Sequence, residues 1–169
     1  MNHFGKILGI AALSCAASLT FAQPTTAGCT MMTSKPDIQG VTAAANGFYA
    51  ALNQMFTGDL TAMNAIWSHA DDVTYMGPGG GFQKGWPAVQ AEFQKQADMK
   101  LGGKVDGEEM LITAGSDVAI VSDYERGKNT NADGKVSAVS LRATSIFRLE
   151  NGVWKMIGHH TDTLPYLKQ

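Results

Sequence analysis

A change of period near residue 103 constrains this chain more than any other feature. Before it, apolar residues recur every three or four positions; after it, they alternate. Val41, Ala45, Phe48, Leu52 and Phe56 fall on one stripe of an amphipathic helix. Ser34-Lys35-Pro36-Asp37 supplies its start, with proline near the first turn and an acid beside the positive end of the helix dipole. Gly58 stops it, and Asp59 caps a second helix whose inner residues are Leu60, Met63, Ile66 and Trp67. The polar turn Ser68 to Asp72 leads to a short strand, Val73 to Met76, and then to the loop Gly77-Pro78-Gly79-Gly80-Gly81. Gly85-Trp86-Pro87 opens a third helix with Val89, Phe93 and Ala97 inward, and Leu101-Gly102-Gly103 ends it.

From Lys104 onward the period is two. Lys104 to Thr113 is a strand, and Asp117 to Arg126 is another, with Val118, Ile120, Ser122 and Tyr124 on one side. After the turn Ala132-Asp133-Gly134, the residues Ser137, Val139, Leu141, Ala143, Ser145, Phe147 and Leu149 form the drier face of a long strand. Arg142, Thr144 and Arg148 point the other way. Asn151-Gly152 signals a hairpin, and Val153 to His160 is the last strand. Helices grouped before an antiparallel meander make the class α+β, in the order α-α-β-α-β-β-β-β. Three helices are about enough to cover the one face such a sheet must bury, and the pattern gives one domain over residues 37–162.

The N-terminus stands apart. Lys6, the apolar run Ile7 to Leu19 and the small residues around Thr20-Phe21-Ala22 read as a signal peptide over residues 1–22, cleaved before Gln23. The expected destination is periplasmic or secreted. Removing that segment takes away Lys6 and leaves 12 basic and 15 acidic residues. Residues 23–36, rich in Thr, Ser and Gly, read as a disordered leader, and residues 163–169 as a C-terminal tail. Cys15 leaves with the signal, so Cys29 is alone in the mature chain and cannot form an intramolecular disulfide. Ala27-Gly28-Cys29 fits part of a lipoprotein cleavage box, but Thr26 stands where a large aliphatic is usual. A free thiol is favoured over a lipid anchor there. No later apolar run reaches the roughly 20 residues a bilayer span needs. Scattered Lys and Arg argue against a nucleic-acid surface.

Several short motifs then carry a resemblance. Phe48-Tyr49-Ala50-Ala51-Leu52-Asn53, Gly58-Asp59-Leu60, Trp67 and Asp71-Asp72-Val73 resemble the opening of SnoaL-like, nuclear-transport-factor-2-like domains, which include ketosteroid-isomerase-like enzymes. Gly80-Gly81-Phe82, Gly85-Trp86, Asp117-Val118-Ala119 and Asn151-Gly152-Val153-Trp154-Lys155, followed by His159-His160, resemble the remainder. The resemblance implies a cystatin-like cone, a curved antiparallel sheet with three helices on its concave face. It also implies a small, mostly apolar ligand inside, a homodimer, and no cofactor. Some members are cofactor-free isomerases, cyclases or dehydratases and others only bind or assemble, so the fold leaves function open. At least two of the three ketosteroid isomerase groups are missing. The base position falls on Gly77, the donor carboxyl on Ser145, and the donor tyrosine on Phe48 with Tyr49 beside it.

Neighbouring His159 and His160 face opposite sides of a strand. If Asn151-Gly152 closes a two-residue hairpin, Leu149 pairs with Trp154 and Phe147 with Met156. That register puts Trp154, Met156, Gly158, His160 and Asp162 on the dry face; a longer turn exchanges the histidines. His160 is then the candidate acid–base catalyst, with Asp162 orienting it or serving as the acid. SnoaL-type cyclases use an acidic residue late in the chain, and the resemblance makes Asp162 the analogue. Trp67, His69, Tyr75, Tyr124, Phe147 and His159 are the candidate ligand-binding residues, with Tyr75 and Tyr124 as hydrogen-bonders. His69, Asp71 and Asp72 lie too close along the chain to converge on a metal, so no metal site is expected. The glycine loop lacks the Lys-Ser or Lys-Thr of a phosphate loop, and no Gly-x-Ser-x-Gly elbow occurs. Two functions remain open at this point. One is cofactor-free proton transfer in a pocket. The other is a non-catalytic dimeric module whose convex sheet face carries Arg142, Thr144, Ile146 and Arg148.

Overall fold

In the computed structural model, which describes residues 35–130 and 133–163, helix α1 (Ile38–Met55) begins where the sequence pattern puts it. Asp37 is its N-cap, accepting from the Gly40 amide at 2.9 Å. The same carboxyl accepts from Trp154 Nε1 at 3.0 Å, which ties the helix start to the last strand. The expected signal peptide, Cys29, most of the leader and most of the tail lie outside the described residues. Helix α2 (Thr61–Ile66) is short, and Asp59 accepts from the Thr61 amide at 2.8 Å. Trp67 has already left the helix in extended backbone, and it pairs with Met156 in an isolated bridge.

Strands β1 (Thr74–Met76) and β2 (Gln83–Lys84) precede helix α3 (Trp86–Asp98). The strand β2 is absent from the sequence reading because two residues carry no period. Gly85, at φ +76°, is the turn into α3, and Pro87 follows within the first turn, where its missing N–H matters least. The long strands are β3 (Lys104–Ala114), β4 (Val118–Thr130), β5 (Val136–Glu150) and β6 (Val153–Asp162). They form a curved, unclosed sheet in the order β2-β1-β6-β5-β4-β3. Strands β3 to β6 are antiparallel to their sequence neighbours, but β1 lies parallel to β6. The meander is therefore extended at one edge by a strand from the helical half.

The helices cover one face. Phe48, Met55, Met63, Trp67, Phe93, Phe147 and Met156 are fully buried between helices and sheet. Burying each such side chain stabilises the fold by roughly 1.5–3 kcal/mol. On β5 the drier face is as expected, with Leu141, Ala143, Ser145 and Phe147 buried and Arg142 exposed. On β4 the row carrying Tyr124, an expected ligand-binding residue, is the outer one. Ala119, Val121, Asp123 and Glu125 are buried, whereas Val118, Ile120 and Tyr124 are exposed.

The β5–β6 hairpin holds the second correction. Leu149 pairs with Trp154 and Phe147 with Met156, as the two-residue turn requires. The next pair is Ile146 with Gly158, so Ile157 is an extra residue in β6, a β-bulge. One extra residue inverts the alternation beyond it. His159 therefore faces the helices, 2% exposed, and His160 and Asp162 face the opposite side.

Candidate functional site

Between the helices and the inner sheet face lies a cavity of about 390 Å³. Phe48, Leu52, Phe56, Phe93, Val105 and Leu141 supply apolar wall, and Tyr75, Gln96, Glu125 and His159 supply polar groups. Apolar walls with a few convergent polar atoms are the ordinary make-up of a small-molecule site.

His159 is held from both sides. Its Nδ1 lies 2.9 Å from Ser145 Oγ, and its Nε2 lies 3.1 Å from Glu125 Oε1. The Glu125 contact is close enough for an ion pair, but its angles fall outside those of an aligned hydrogen bond. Glu125 is 4% exposed. Phe48 packs on the imidazole at 4.6 Å between ring centres, and Tyr75 stacks at 6.0 Å. The position that resemblance assigns to a donor carboxyl, Ser145, thus carries a hydroxyl that orients a histidine.

Tyr49 points from α1 to β4 and donates to Asp123 Oδ2 at 2.7 Å. Burial and the neighbouring Glu125 and Asp123 carboxyls hold the Tyr49 phenol well above its usual range. Burial also raises the Asp123 carboxyl. Glu125 adds to that rise, while the Tyr49 hydrogen bond and His159 oppose it. Tyr75 is pushed up to about 12, mainly by burial. Gln96 Nε2 donates to Tyr75 Oη at 3.0 Å, and the Tyr75 hydroxyl donates to Gln96 Oε1 at 3.4 Å, a long contact for an O–H donor. By the resemblance, the base position of ketosteroid-isomerase-like enzymes falls on Gly77. A Cβ there would sit 2.3 Å from the Tyr75 hydroxyl, so Tyr75 occupies the space that a carboxylate base would need.

The structure brings together only some of the residues singled out from sequence. Tyr75 and His159 line the cavity. Trp67 and Phe147 are buried at 1% and 0%, and they pack in the core without lining it. Exposed His69 stacks on Trp86 at 4.2 Å and contacts the Asn64 carbonyl. Tyr124 is on the outer sheet face under the Arg126 guanidinium. His160 contacts Thr74 Oγ1 at 3.2 Å, and Asp162 accepts from Arg142 at 2.9 Å. Both histidine and aspartate border an open outer groove of about 620 Å³, with Glu109, Tyr124 and Arg142, rather than the cavity. Burial, and the nearness of His159, lower the His160 pKa. Sequence reasoning missed Asp123 and Glu125. Their signal was available as two acids at positions i and i+2, alternating with exposed apolar residues on one strand. Among the described residues, no cluster of three or more His, Cys, Asp or Glu side chains has metal-binding geometry, and no helix is long and apolar enough to cross a membrane.

The comparisons agree with this architecture. Several solved structures share the fold. A dehydratase candidate of the nuclear transport factor 2-like (NTF2-like) family from Streptomyces avermitilis matches at 20% identity and TM-score 0.68, over 78% of this chain and 99% of that one. An NTF2-like superfamily protein from Salmonella enterica matches at 12% identity and TM-score 0.66, over 78% and 94%. An aromatic ring hydroxylase candidate from Novosphingobium aromaticivorans matches at 17% identity and TM-score 0.63, over 75% and 87%. At these identities the likeness is one of fold. No curated protein sequence matches this chain. The SnoaL-like domain model matches residues 41–164, which span α1 through β6, and the chain belongs to that family.

Proposed function

We propose that this domain binds a small, mostly apolar molecule in the inner cavity and moves a proton on it without a cofactor. The Glu125–His159 pair acts as acid and base, and Tyr75 donates to a ligand oxygen. The observation that carries this reading is the 3.1 Å approach of Glu125 and His159 on an apolar-walled cavity, both nearly inaccessible to water. A carboxylate beside an imidazole gives two groups that can take up and return a proton at one place. His160 and Asp162 face away, so the roles expected of them fall to His159 and Glu125.

The test is deuterium incorporation from D2O, read by NMR, across a panel of apolar cyclic ketones, enones and hydroxylated aromatics. Wild-type protein should exchange protons on some members. His159→Ala and Glu125→Gln, shown to be folded by circular dichroism, should slow exchange about 10²–10⁴-fold. Unchanged rates in both variants, or no exchange on any member, contradict the reading.

The second reading, a dimeric assembly module, draws support from Val118 and Ile120, which are 41% and 42% exposed on the outer face. Sedimentation should then give a dimer that Ile120→Lys converts to monomer; a monomeric wild type removes this reading. Export is a separate proposal. Protein recovered from the periplasm or medium should begin at Gln23, and a retained Met1 there contradicts it.

A further inference from the structure

Strand β5 sets Ser145 directly opposite His159 on β6, beyond the bulge at Ile157. The bulge therefore does more than turn His159 inward, because it brings a hydroxyl level with the ring. Ser145 is 3% exposed and His159 2%. Ser145 Oγ lies 2.9 Å from His159 Nδ1, and that nitrogen is the hydroxyl's hydrogen-bond partner among the described residues. Phe48 and Tyr75 pack on the ring and hold its plane.

An uncharged imidazole has one N–H and one bare nitrogen, and the neighbour of one nitrogen decides which of them carries the hydrogen. Two neighbours bear on that choice here. The serine hydroxyl is buried, and a buried O–H without an acceptor is costly. Nδ1 meets that need only while it is bare. At the other edge of the ring, Nε2 lies 3.1 Å from Glu125 Oε1. A carboxyl oxygen at that distance favours a hydrogen on Nε2, since a bare nitrogen would set lone pair against lone pair. Both neighbours thus favour the same tautomer. The Nε2–Oε1 contact is poorly aligned, so Glu125 does not claim the hydrogen, and the N–H is left for an acceptor in the cavity that His159 lines.

We propose that Ser145 is a positioning residue, whose hydroxyl donates to Nδ1 and holds the uncharged His159 ring as the Nε2–H tautomer. The ring then meets a ligand as a hydrogen-bond donor beside the Tyr75 hydroxyl, and Glu125 is the group left to accept a proton. This deepens the acid–base reading of the same cavity and rests on it. It also narrows the ligand class. The group that meets His159 is a ketone or enone carbonyl, which accepts, and not an ammonium group, which only donates.

The experiment records the His159 ring nitrogens by long-range ¹H–¹⁵N correlation in full-length protein labelled with ¹⁵N-histidine. The pH is raised until the ring is uncharged, and His159→Ala identifies its signals among the 4 histidines. In wild type, Nε2 should be the nitrogen that carries the hydrogen. Nδ1 should be bare and shifted upfield by the hydrogen bond it accepts. Ser145→Ala should move Nδ1 away from that position, and Ser145→Thr, which keeps the hydroxyl, should restore it. Where a member of the ketone panel exchanges, Ser145→Ala should slow it about 2–10-fold through kcat and not KM, the worth of one hydrogen bond, and Ser145→Thr should recover the rate. A hydrogen on Nδ1 in wild type overturns the proposal. So does a ring that keeps both hydrogens up to mildly alkaline pH, or an Nδ1 unmoved by Ser145→Ala. If Ser145→Ala fails to fold, Ser145→Cys, a weaker donor, takes its place with the same expectation. The nitrogen shifts need no turnover. A protein that exchanges nothing can still hold this tautomer, and the wrong tautomer leaves exchange by Glu125 and His159 standing.

Discussion

The two faces of β4 differ in a way their own residues do not announce. The outer row, Val118, Ile120, Ser122 and Tyr124, is the more apolar, yet it faces water; the inner row, Ala119, Val121, Asp123 and Glu125, ends in two acids, yet it is buried. The face that is covered is set by the whole sheet and its helices, not by one strand. Phe147, Leu141 and Met156 on neighbouring strands bury the same side, and β4 follows them. The polar half of the inner row is retained where it meets Tyr49 and His159. That contrast separates a face that holds the fold together and borders the inner cavity from one that does neither.

The sharpest way to break the comparison is to truncate one apolar side chain on each face. Phe147→Ala removes a fully buried ring and should cost about 3–5 kcal/mol in urea unfolding, whereas Ile120→Ala should cost under about 1 kcal/mol. Equal losses would mean the faces are misassigned. Gly107→Ala comes next, since its methyl group meets Tyr49 and Asp123 and should cost about 1–3 kcal/mol through forced displacement. A wild-type midpoint would show that the Tyr49–Asp123 contact has slack.

Smaller effects follow from charge. The Asp123 carboxyl is raised in the folded state, so between the ordinary value of 3.8 and its folded pKa the native protein holds a proton that the unfolded chain has released. Its contribution to stability therefore falls as pH rises through that window. Asp123→Asn should be more stable than wild type at neutral pH, and the gain should disappear in acid. Unfolding curves at several pH values check this, and a gain that grows in acid would contradict it. Smallest is Asp72, whose pKa is lowered by the Arg148 hydrogen bond and whose side chain is 62% exposed. Its contribution is present above the ordinary carboxylate range and lost as pH falls. Solvent screening keeps the effect of Asp72→Asn to about 1 kcal/mol or less.

Much of the fold was legible because local chemistry and tertiary context agree. Asp37 caps α1, Gly85-Trp86-Pro87 opens α3, and Asn151-Gly152 sets the register from Leu149 to Met156. The candidate site was legible only in part. Nothing local marks Ile157 as a bulge, yet that residue decides which histidine meets the cavity. Asp123 and Glu125 were not singled out, because acids on a strand usually face solvent. Only the partners supplied by α1 and β6, more than 30 residues away on either side, make their burial tolerable. Deleting Ile157 sharpens the point: a regular β6 should still turn His159 inward, and NMR showing His160 there instead would refute the register.

A crystal structure with a compound that passes the exchange screen tests the central claim most directly. The compound should lie in the inner cavity, its exchanging carbon beside Glu125 or His159 and its oxygen within hydrogen-bond reach of Tyr75. The same compound seated in the outer groove against Tyr124, Arg142 and His160, with the inner cavity unfilled, would contradict it.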